Sequence, residues 1–238
     1  MKAVYIPVDN TEIYCRISGE GKPLILLHGN GEDSSIFEDQ IEAFSQKYQV
    51  IAIDTRGHGR SEHGQYPLSF TRLALDIVEV MDYFNVRKAA IVGFSDGGNI
   101  ALYVALKYPE YVQSLIIVGA NLETDGMKKL PVFQVKLAYK MTKLLGNVSR
   151  YFNQRKQIID LMLKQLQLTP EQLQTIQAPV LVVAGDHDMI EEDHTKLIAA
   201  SLPNSQLKII PDADHFLIMK KPDLFNRLVF SFLEDVYP

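Results

Sequence analysis

Short apolar runs alternate with polar turns and amphipathic stretches along most of the 238-residue chain. The runs predict eight strands, at residues 3–8, 12–18, 24–27, 50–53, 89–92, 115–118, 180–184 and 207–210. The first two, joined by Asp9 and Asn10, predict a β-hairpin. Several later runs are apolar at every position, such as 24–27 and 180–183, which is typical of parallel strands covered on both faces.

Helical patterns separate the later strands. Between the fourth and fifth strands, apolar residues recur every three or four positions, at Phe70, Leu73, Ala74, Ile77, Met81 and Phe84. This spacing predicts a helix with one apolar stripe that can cover the sheet. The alternation of strand and helix predicts an α/β fold, a doubly wound and mostly parallel eight-stranded sheet flanked by helices.

Residues 121–175 interrupt this alternation with helix-like stretches around 133–145 and 151–168. We expect a helical cap inserted into an α/β core that is made of residues 1–120 and 176–238. The inserted stretch has nine Lys and Arg against four Asp and Glu, a net charge of +5 that leaves −10 for the rest of the chain. This charge indicates either a solvated basic face, the usual role of charge runs, or a patch that selects anionic substrates.

The composition, 47% hydrophobic and 22% charged, is typical of a globular protein, and a net charge of −5 predicts no general attraction to nucleic acid or anionic lipid. The first nine residues lack an apolar core of signal-peptide length, and no segment approaches the roughly 18 to 20 apolar residues that span a bilayer. We therefore expect a cytoplasmic location, with no membrane or nucleic-acid partner. Cys15 is the single cysteine and cannot form an internal disulfide.

The segment Gly93-Phe94-Ser95-Asp96-Gly97-Gly98 lies between the apolar run at 89–92 and a helix-compatible stretch at 99–107. This order predicts a strand, a sharp turn with Ser95 at its tip, and a helix. Such a turn, the nucleophile elbow, projects a hydroxyl into a cleft, and small glycines on both sides avoid collisions. Ser95 is therefore the candidate nucleophile.

A serine hydroxyl needs an imidazole to take its proton and a carboxylate to orient that imidazole. His215 follows the eighth predicted strand, and reactive groups of open α/β sheets gather at the carboxyl ends of strands. The acid should follow the seventh strand, where Asp186 could brace the turn and Asp188 could reach the imidazole. His187 and His194 are expected to face solvent, in a loop and on a helix.

A tetrahedral intermediate also needs preset backbone donors for its oxyanion. The backbone NH of Asp96, directly after the nucleophile, is one candidate, and the NH of Asn30 in the glycine-rich turn after the third strand is the other. This turn has neither a P-loop nor a dinucleotide-binding pattern, so a nucleotide is not expected. The Asp96 side chain could attract an amine-bearing substrate, or it could turn aside to bond the neighbouring backbone.

Together these motifs resemble the α/β-hydrolase fold superfamily, in its capped serine esterase, lipase and haloperoxidase-like branch. The resemblance rests on residues 28–31, 54–61, the Ser95 elbow, 185–188 and 214–215. It implies Asp188 rather than Asp186 as the acid, a structural role for His58 in the Arg-Gly-His-Gly turn, and a lid role for residues 121–175. A serine at position 95 argues against the epoxide-opening and dehalogenating members, whose nucleophile is a carboxylate.

These expectations combine into a serine hydrolase, a carboxylesterase that cleaves a small or medium acyl ester through an acyl-enzyme. The catalytic residues would be Ser95, Asp188 and His215, with Asn30 and Asp96 binding the substrate oxyanion. No metal or organic cofactor is expected, because the chain has no Cys/His cluster. Two alternatives remain, a carbon-carbon bond hydrolase of a vinylogous diketone and a weakly catalytic receptor that binds a small molecule beneath the cap.

Overall fold

All eight predicted strands are present in the computed structural model, which describes residues 1–146, 149–165 and 167–237. They are β1 (Lys2–Val8), β2 (Thr11–Ser18), β3 (Lys22–Leu27), β4 (Tyr48–Ile53), β5 (Ala89–Phe94), β6 (Val112–Val118), β7 (Val180–His187) and β8 (Ser205–Asp214). All eight are longer than the apolar runs that predicted them, because backbone pairing continues beyond the apolar residues at the strand ends.

The strands form one sheet in the order β1-β2-β4-β3-β5-β6-β7-β8. The pairs β1 with β2 and β2 with β4 are antiparallel, and every other neighbouring pair is parallel. The predicted hairpin is confirmed, with Asp9 at the turn in a left-handed conformation (φ 54°). The mostly parallel, doubly wound sheet predicted from the alternation of strands and helices is confirmed as well.

Helices lie on both faces of the sheet and in the stretch 121–175. They are α1 (Glu38–Phe44), α2 (Phe70–Tyr83), α3 (Asp96–Lys107), α4 (Lys129–Gly146), α5 (Arg150–Asp160), α6 (Pro170–Leu173), α7 (Glu192–Ser201), α8 (Leu217–Lys220) and α9 (Pro222–Val236). The predicted helix at 70–84 corresponds to α2, which begins after Ser69 because the Ser69 side chain accepts a hydrogen bond from Arg72 N at 3.2 Å.

Successive residues of the central strands belong to two different apolar clusters. In β3, Ile25 and Leu27 pack with α2 and α3 in one cluster, whereas Leu24 and Leu26 pack with α1 and α9 in the other. Side chains of a strand point alternately to opposite faces, so an uninterrupted apolar run is buried on both sides. This double burial fixes the strand ends from which the candidate site is built.

The stretch 121–175, called the helical insertion below, contains no strand among its described residues, only an isolated bridge from Met127 to Ile190. The helix predicted around 133–145 corresponds to α4. The prediction of one helix over 151–168 is wrong in its extent, since α5 ends at Asp160 and the next turn, Leu161–Gln165, is π-helical. Leu168 lies beyond both, and Leu166 is outside the described residues.

Candidate active site

Ser95 occupies a strained turn between β5 and α3. Its backbone angles are φ 53° and ψ −119°, a conformation that residues other than glycine rarely adopt. Gly97 allows the turn because a Cβ at this position would lie 2.0 Å from the carbonyl oxygen of Leu27. Backbone strain of this kind persists only where the surrounding structure enforces it, and it clusters at functional sites.

His215 lies between Ser95 and Asp188. Its Nε2 is 3.1 Å from Ser95 Oγ, and its Nδ1 is 2.7 Å from Asp188 Oδ1. The imidazole and the carboxylate are buried, with His215 5% exposed and Asp188 2% exposed. Because a carboxylate only accepts hydrogen bonds, Nδ1 carries the proton and Nε2 is left to accept from the Ser95 hydroxyl.

The two competing aspartates of the β7 end have different contacts. The carboxylate of Asp186 accepts hydrogen bonds from the backbone NH groups of Asp212 and Ala213, both at 3.1 Å, and so holds the end of β8. The carboxylate of Asp188 accepts from His215 and from Ile190 N, the latter at 2.9 Å. Only Asp188 is in contact with the imidazole.

Gly119, the first residue after β6, lies against the imidazole and the acid. A Cβ on Gly119 would be 2.7 Å from His215 Cε1 and 3.3 Å from Asp188 Oδ2, and φ at this residue is +60°. Both the space and the backbone conformation therefore require glycine. The sequence analysis missed this residue, although a glycine directly after an apolar strand is a signal that could have found it.

The two residues predicted to bind the oxyanion are in direct contact. Asp96 begins α3, so its NH has no acceptor within the helix. Asn30 lies on the turn after β3, and its Nδ2 donates to Asp96 Oδ2 at 2.8 Å. The same Nδ2 donates to the carbonyl oxygen of Ile158 in α5 at 2.7 Å, which joins the turn, the elbow and the helical insertion.

The carboxylate of Asp96 is buried and bonded to amides. Besides the bond from Asn30, Asp96 Oδ1 accepts from Asn99 Nδ2 at 3.2 Å, and Asn99 also bonds Asn121. Burial raises the pKa of Asp96 to about 6, although the bonds from Asn30 and Asn99 oppose the rise. The expectation that this side chain bonds the neighbouring backbone is wrong in its partners, which are side chains.

Asn99 and Asn121 were missed by the sequence analysis. Asn99 is fully buried in the first turn of α3, and a polar side chain four residues after the nucleophile on a helix that must cover the sheet was the available signal. Glu32 was missed too. Its Oε2 accepts from Gly29 N at 3.0 Å, and burial raises the pKa of this carboxyl beside the candidate site.

The helical insertion meets the acid loop through Lys128. Lys128 Nζ donates to the backbone carbonyl oxygen of Asp188 at 2.5 Å, and Lys128 N donates to Met189 O at 2.8 Å. The sequence analysis counted Lys128 only as one of the charges of residues 121–175. The side-chain contact could not be predicted, because it depends on how the insertion folds back onto the sheet.

Three other histidines, His28, His58 and His194, form hydrogen bonds within the fold rather than with Ser95. His28 and His58 are buried, and desolvation lowers their pKa values to about 4 and about 3, so both are neutral. His28 Nε2 accepts from Thr55 N at 3.0 Å. His194 was expected to face solvent but is half-buried, and its Nε2 accepts from Leu122 N at 3.0 Å. That expectation is wrong, because α7 packs against the start of the helical insertion. His187 is exposed as predicted, but it is the last residue of β7 rather than part of a loop.

A cavity of about 450 Å³ adjoins Asn30. It lies between the turn after β3 and the facing sides of α4 and α5, and it is lined by Asn30, Gly31, Ala138, Thr142, Tyr151, Phe152, Arg155, Ile158 and Ile159. Its wall is mostly apolar, with one cation at Arg155. The helical insertion thus supplies most of the surface of the cavity.

Among the described residues, one group of side chains has the spacing of metal ligands, namely Asp186, His187 and Asp212. The group is largely exposed, and the Asp186 carboxylate is already bonded to backbone NH groups. It lies outside the Ser95 site. Among residues 1–146, 149–165 and 167–237, no helix has the length and apolar character needed to cross a membrane.

Comparison with known proteins identifies related chains. A family model described as alpha/beta hydrolase fold matches residues 22–145. The chain is 30% identical to serine hydrolase BPHL of Mus musculus over 96% of its own length and 85% of that protein. It is 28% identical to a 2-hydroxy-6-oxononadienedioate/2-hydroxy-6-oxononatrienedioate hydrolase of Burkholderia vietnamiensis, over 98% and 95% of the two chains. Among solved structures, Est816, described as an N-acyl homoserine lactone degrading enzyme, superposes with a TM-score of 0.82 at 29% identity, covering 96% of this chain and 100% of that one.

Proposed function

Because the chain belongs to the alpha/beta hydrolase fold family, we propose that it is a serine hydrolase, a carboxylesterase that acts on a small or medium acyl ester. One observation carries this proposal, the hydrogen-bonded chain from Ser95 Oγ through His215 to Asp188. The fold and the names of the relatives support hydrolase activity. The identity of the three residues and the ester substrate are our inference.

In the proposed mechanism, His215 Nε2 takes the proton of Ser95 Oγ as the oxygen attacks the ester carbonyl. Asp188 keeps the proton on Nδ1 and stabilises the imidazolium that forms. The backbone NH groups of Asp96 and Asn30 hold the oxyanion, with the amino-terminal dipole of α3 adding to the field. His215 then protonates the leaving alcohol, and water, deprotonated by the same imidazole, releases the acid from the acyl-enzyme.

We assign the helical insertion, residues 121–175, the role of a cap on the core formed by 1–120 and 176–238. The cavity of about 450 Å³ between α4, α5 and Asn30 supports this assignment, since the insertion supplies most of its lining. Ser95 and His215 do not line it, so in this proposal the acyl group extends from Ser95 past Asn30 into the cavity. Arg155 gives the cavity a cation, which favours acyl groups that bear a carboxylate. No cofactor takes part in this proposal.

The contacts of Asp96 favour a positioning role over attraction of an amine-bearing substrate. Its two carboxylate oxygens accept from Asn30 and Asn99, so the charge is directed at amides rather than at the cavity. Through Asn30, Asp96 fixes the turn that is proposed to donate to the oxyanion.

The variant Ser95→Ala tests the assignment. It should lose nearly all turnover of nitrophenyl esters and all labelling by a fluorophosphonate, because a triad acts as a unit. Ser114→Ala is the matched control, since Ser114 is fully buried in β6 and its hydroxyl has no hydrogen-bond partner. Esterase activity retained in Ser95→Ala with an unchanged unfolding midpoint would contradict the proposal. Absence of labelling in the wild type would instead favour a receptor.

A carbon-carbon bond hydrolase is the second candidate. The relative from Burkholderia vietnamiensis, 28% identical over nearly the whole chain, carries the name of a hydrolase of a 2-hydroxy-6-oxo dienedioate. The same serine and histidine could promote ketonisation of such a substrate before cleavage. Comparing kcat/KM for nitrophenyl esters with kcat/KM for a ring-fission product separates the two reactions.

A further inference from the structure

Helix α4 presents an apolar stripe to solvent. None of its described residues is buried, and its large apolar side chains on one side are at least half exposed: Leu130 67%, Phe133 64%, Leu137 50%, Met141 59% and Leu144 77%. Their spacing of three, four, four and three residues places them on one face of the helix. The opposite side contributes Ala138 and Thr142 to the cavity. The exposed stripe is therefore not the face that packs on the protein.

Four exposed lysines border this stripe. Lys129, Lys136, Lys140 and Lys143 follow one another at spacings of seven, four and three residues, which puts them on one flank of the apolar face. An exposed apolar face with lysines along its border is the pattern of helices that lie in the interface of a lipid bilayer. Exposed apolar surface of this kind marks an interaction site.

Charge is divided unequally between the two parts of the chain. The helical insertion carries +5 and the remainder −10, so the net positive charge is concentrated in the segment that contains α4. A negatively charged surface attracts the insertion and repels the core, which orients the molecule with α4 toward that surface. A second copy of this chain would bring an equally positive insertion against the first, and like charges oppose that pairing.

We propose that the outer face of α4 docks the protein on anionic lipid surfaces, with the apolar stripe entering the interface and the lysines contacting the headgroups. This departs from the expectation of no membrane partner, which rested on the net charge of −5 rather than on its distribution. The proposal concerns attachment to a surface and does not depend on the reaction at Ser95. It also places the wall of the cavity formed by α4 next to the lipid.

Co-sedimentation of the full chain with vesicles tests this proposal. We expect binding to phosphatidylglycerol vesicles at low ionic strength, weaker binding at high ionic strength, and none to phosphatidylcholine vesicles. The variant Phe133→Ser/Leu137→Ser, and separately Lys136→Gln/Lys140→Gln/Lys143→Gln, should each weaken partitioning at least about tenfold. Turnover of a soluble nitrophenyl ester without vesicles should be unchanged, because none of these side chains lines the cavity.

The control variants remove the same kinds of side chain, a large apolar one and three lysines, from other parts of the surface. Leu197→Ser changes an exposed leucine of α7, and Lys88→Gln/Lys107→Gln/Lys208→Gln lowers the net charge by the same three units from exposed positions of the core. These variants should bind anionic vesicles like the wild type. An equal loss of vesicle binding in the two triple lysine variants would overturn the proposal. A wild type that does not bind anionic vesicles would overturn it too. A dimer in light scattering that Leu137→Ser dissociates would overturn it as well, in favour of self-association through the stripe.

Discussion

The sheet edge that carries the candidate active site and helix α4 of the helical insertion are held by different means. At the sheet edge, His215 and Asp188 are buried and bonded to each other, and the strands beneath them are covered on both faces. Helix α4 has no buried residue among those described. Reacting groups need fixed distances, so they lie where burial fixes the backbone, whereas a surface that selects substrates or partners does not need this rigidity.

Polar contacts join the helical insertion to the loops around the candidate site. Asn30 Nδ2 bonds the carbonyl oxygen of Ile158, and Lys128 Nζ bonds the carbonyl oxygen of Asp188. The first contact ends on a backbone atom of the insertion, which every residue type provides, whereas the second needs the lysine side chain at position 128. The insertion can therefore differ in sequence at Ile158 without losing its bond to Asn30, but not at Lys128.

The largest effect on the free energy of unfolding is expected from breaking the buried ion pair of the core. Arg56 Nε and Nη2 each lie 2.7 Å from a carboxylate oxygen of Asp76, and the two side chains are 1% and 2% exposed. Arg56→Met leaves a buried charge without its partner, which should lower the free energy of unfolding by about 3 to 5 kcal/mol in a denaturant titration. The double variant Arg56→Met/Asp76→Leu should recover most of this loss. Equal instability of the two variants would contradict the electrostatic explanation.

The next largest effect concerns the pH dependence of the free energy of unfolding. The pKa of Asp96 is about 6 in the folded protein, against 3.8 for an aspartate that is not buried. The folded protein therefore retains a proton that the unfolded chain releases. The stabilisation from this group is full below about pH 3.8 and is lost as the pH rises through about 6. In Asp96→Asn this loss is absent, so its unfolding free energy relative to the wild type should rise by about 2 kcal/mol between pH 4 and pH 7.

Denaturant titrations at several pH values check this prediction, with Asp125→Asn as the control because Asp125 is exposed in the helical insertion. The control should follow the pH dependence of the wild type. A parallel course for Asp96→Asn would mean that Asp96 titrates in the folded protein as it does in the unfolded chain.

Gly119→Ala should reduce kcat/KM about 100-fold or more. The added Cβ would lie 2.7 Å from His215 Cε1, and a displacement of the imidazole by about 1 Å is enough for a loss of this size. Gly57→Ala is the control for backbone strain, because Gly57 has a similar φ of +78°, its Cβ would lie 3.1 Å from the side chain of His63, and neither residue lines the cavity. If both variants lost activity equally, backbone strain rather than contact with His215 would be the cause.

What could be predicted from the sequence also differs between the core and the insertion. Apolar runs marked all eight strands, and these runs are continuous in doubly buried strands such as β3 and β7. The strand ends brought Ser95, His215 and the pair Asp186 and Asp188 together as candidates, and the family resemblance favoured Asp188 of the pair. Gly119 and Asn99 left a signal in the sequence, but their contacts and those of Asn121 could not be predicted, because they depend on how α3 and β6 lie beside the elbow. In the insertion, periodicity located α4, but apolar spacing alone does not tell which face packs, and the exposed stripe emerged only from the structure.

Lys128→Met tests the junction between the two regions. Loss of the bond to the Asp188 carbonyl should lower kcat about fivefold, the equivalent of one hydrogen bond of about 1 kcal/mol. Lys129→Met, an exposed neighbour, is the control. An unchanged kcat in Lys128→Met, with the unfolding midpoint of the wild type, would mean that this bond does not position the acid loop.

The smallest effect is expected on the outer face of α4. Leu137 is 50% exposed, so Leu137→Ala should change the unfolding free energy by no more than about 0.5 kcal/mol. Ile158, 4% exposed in α5, is the counterpart within the same insertion, and Ile158→Ala should lower it by about 2 to 5 kcal/mol, as for other buried large-to-small substitutions. Similar losses in the two variants, measured by denaturant titration at low protein concentration, would mean that the stripe is covered within the single chain, and α4 would then be part of a packed core like the sheet.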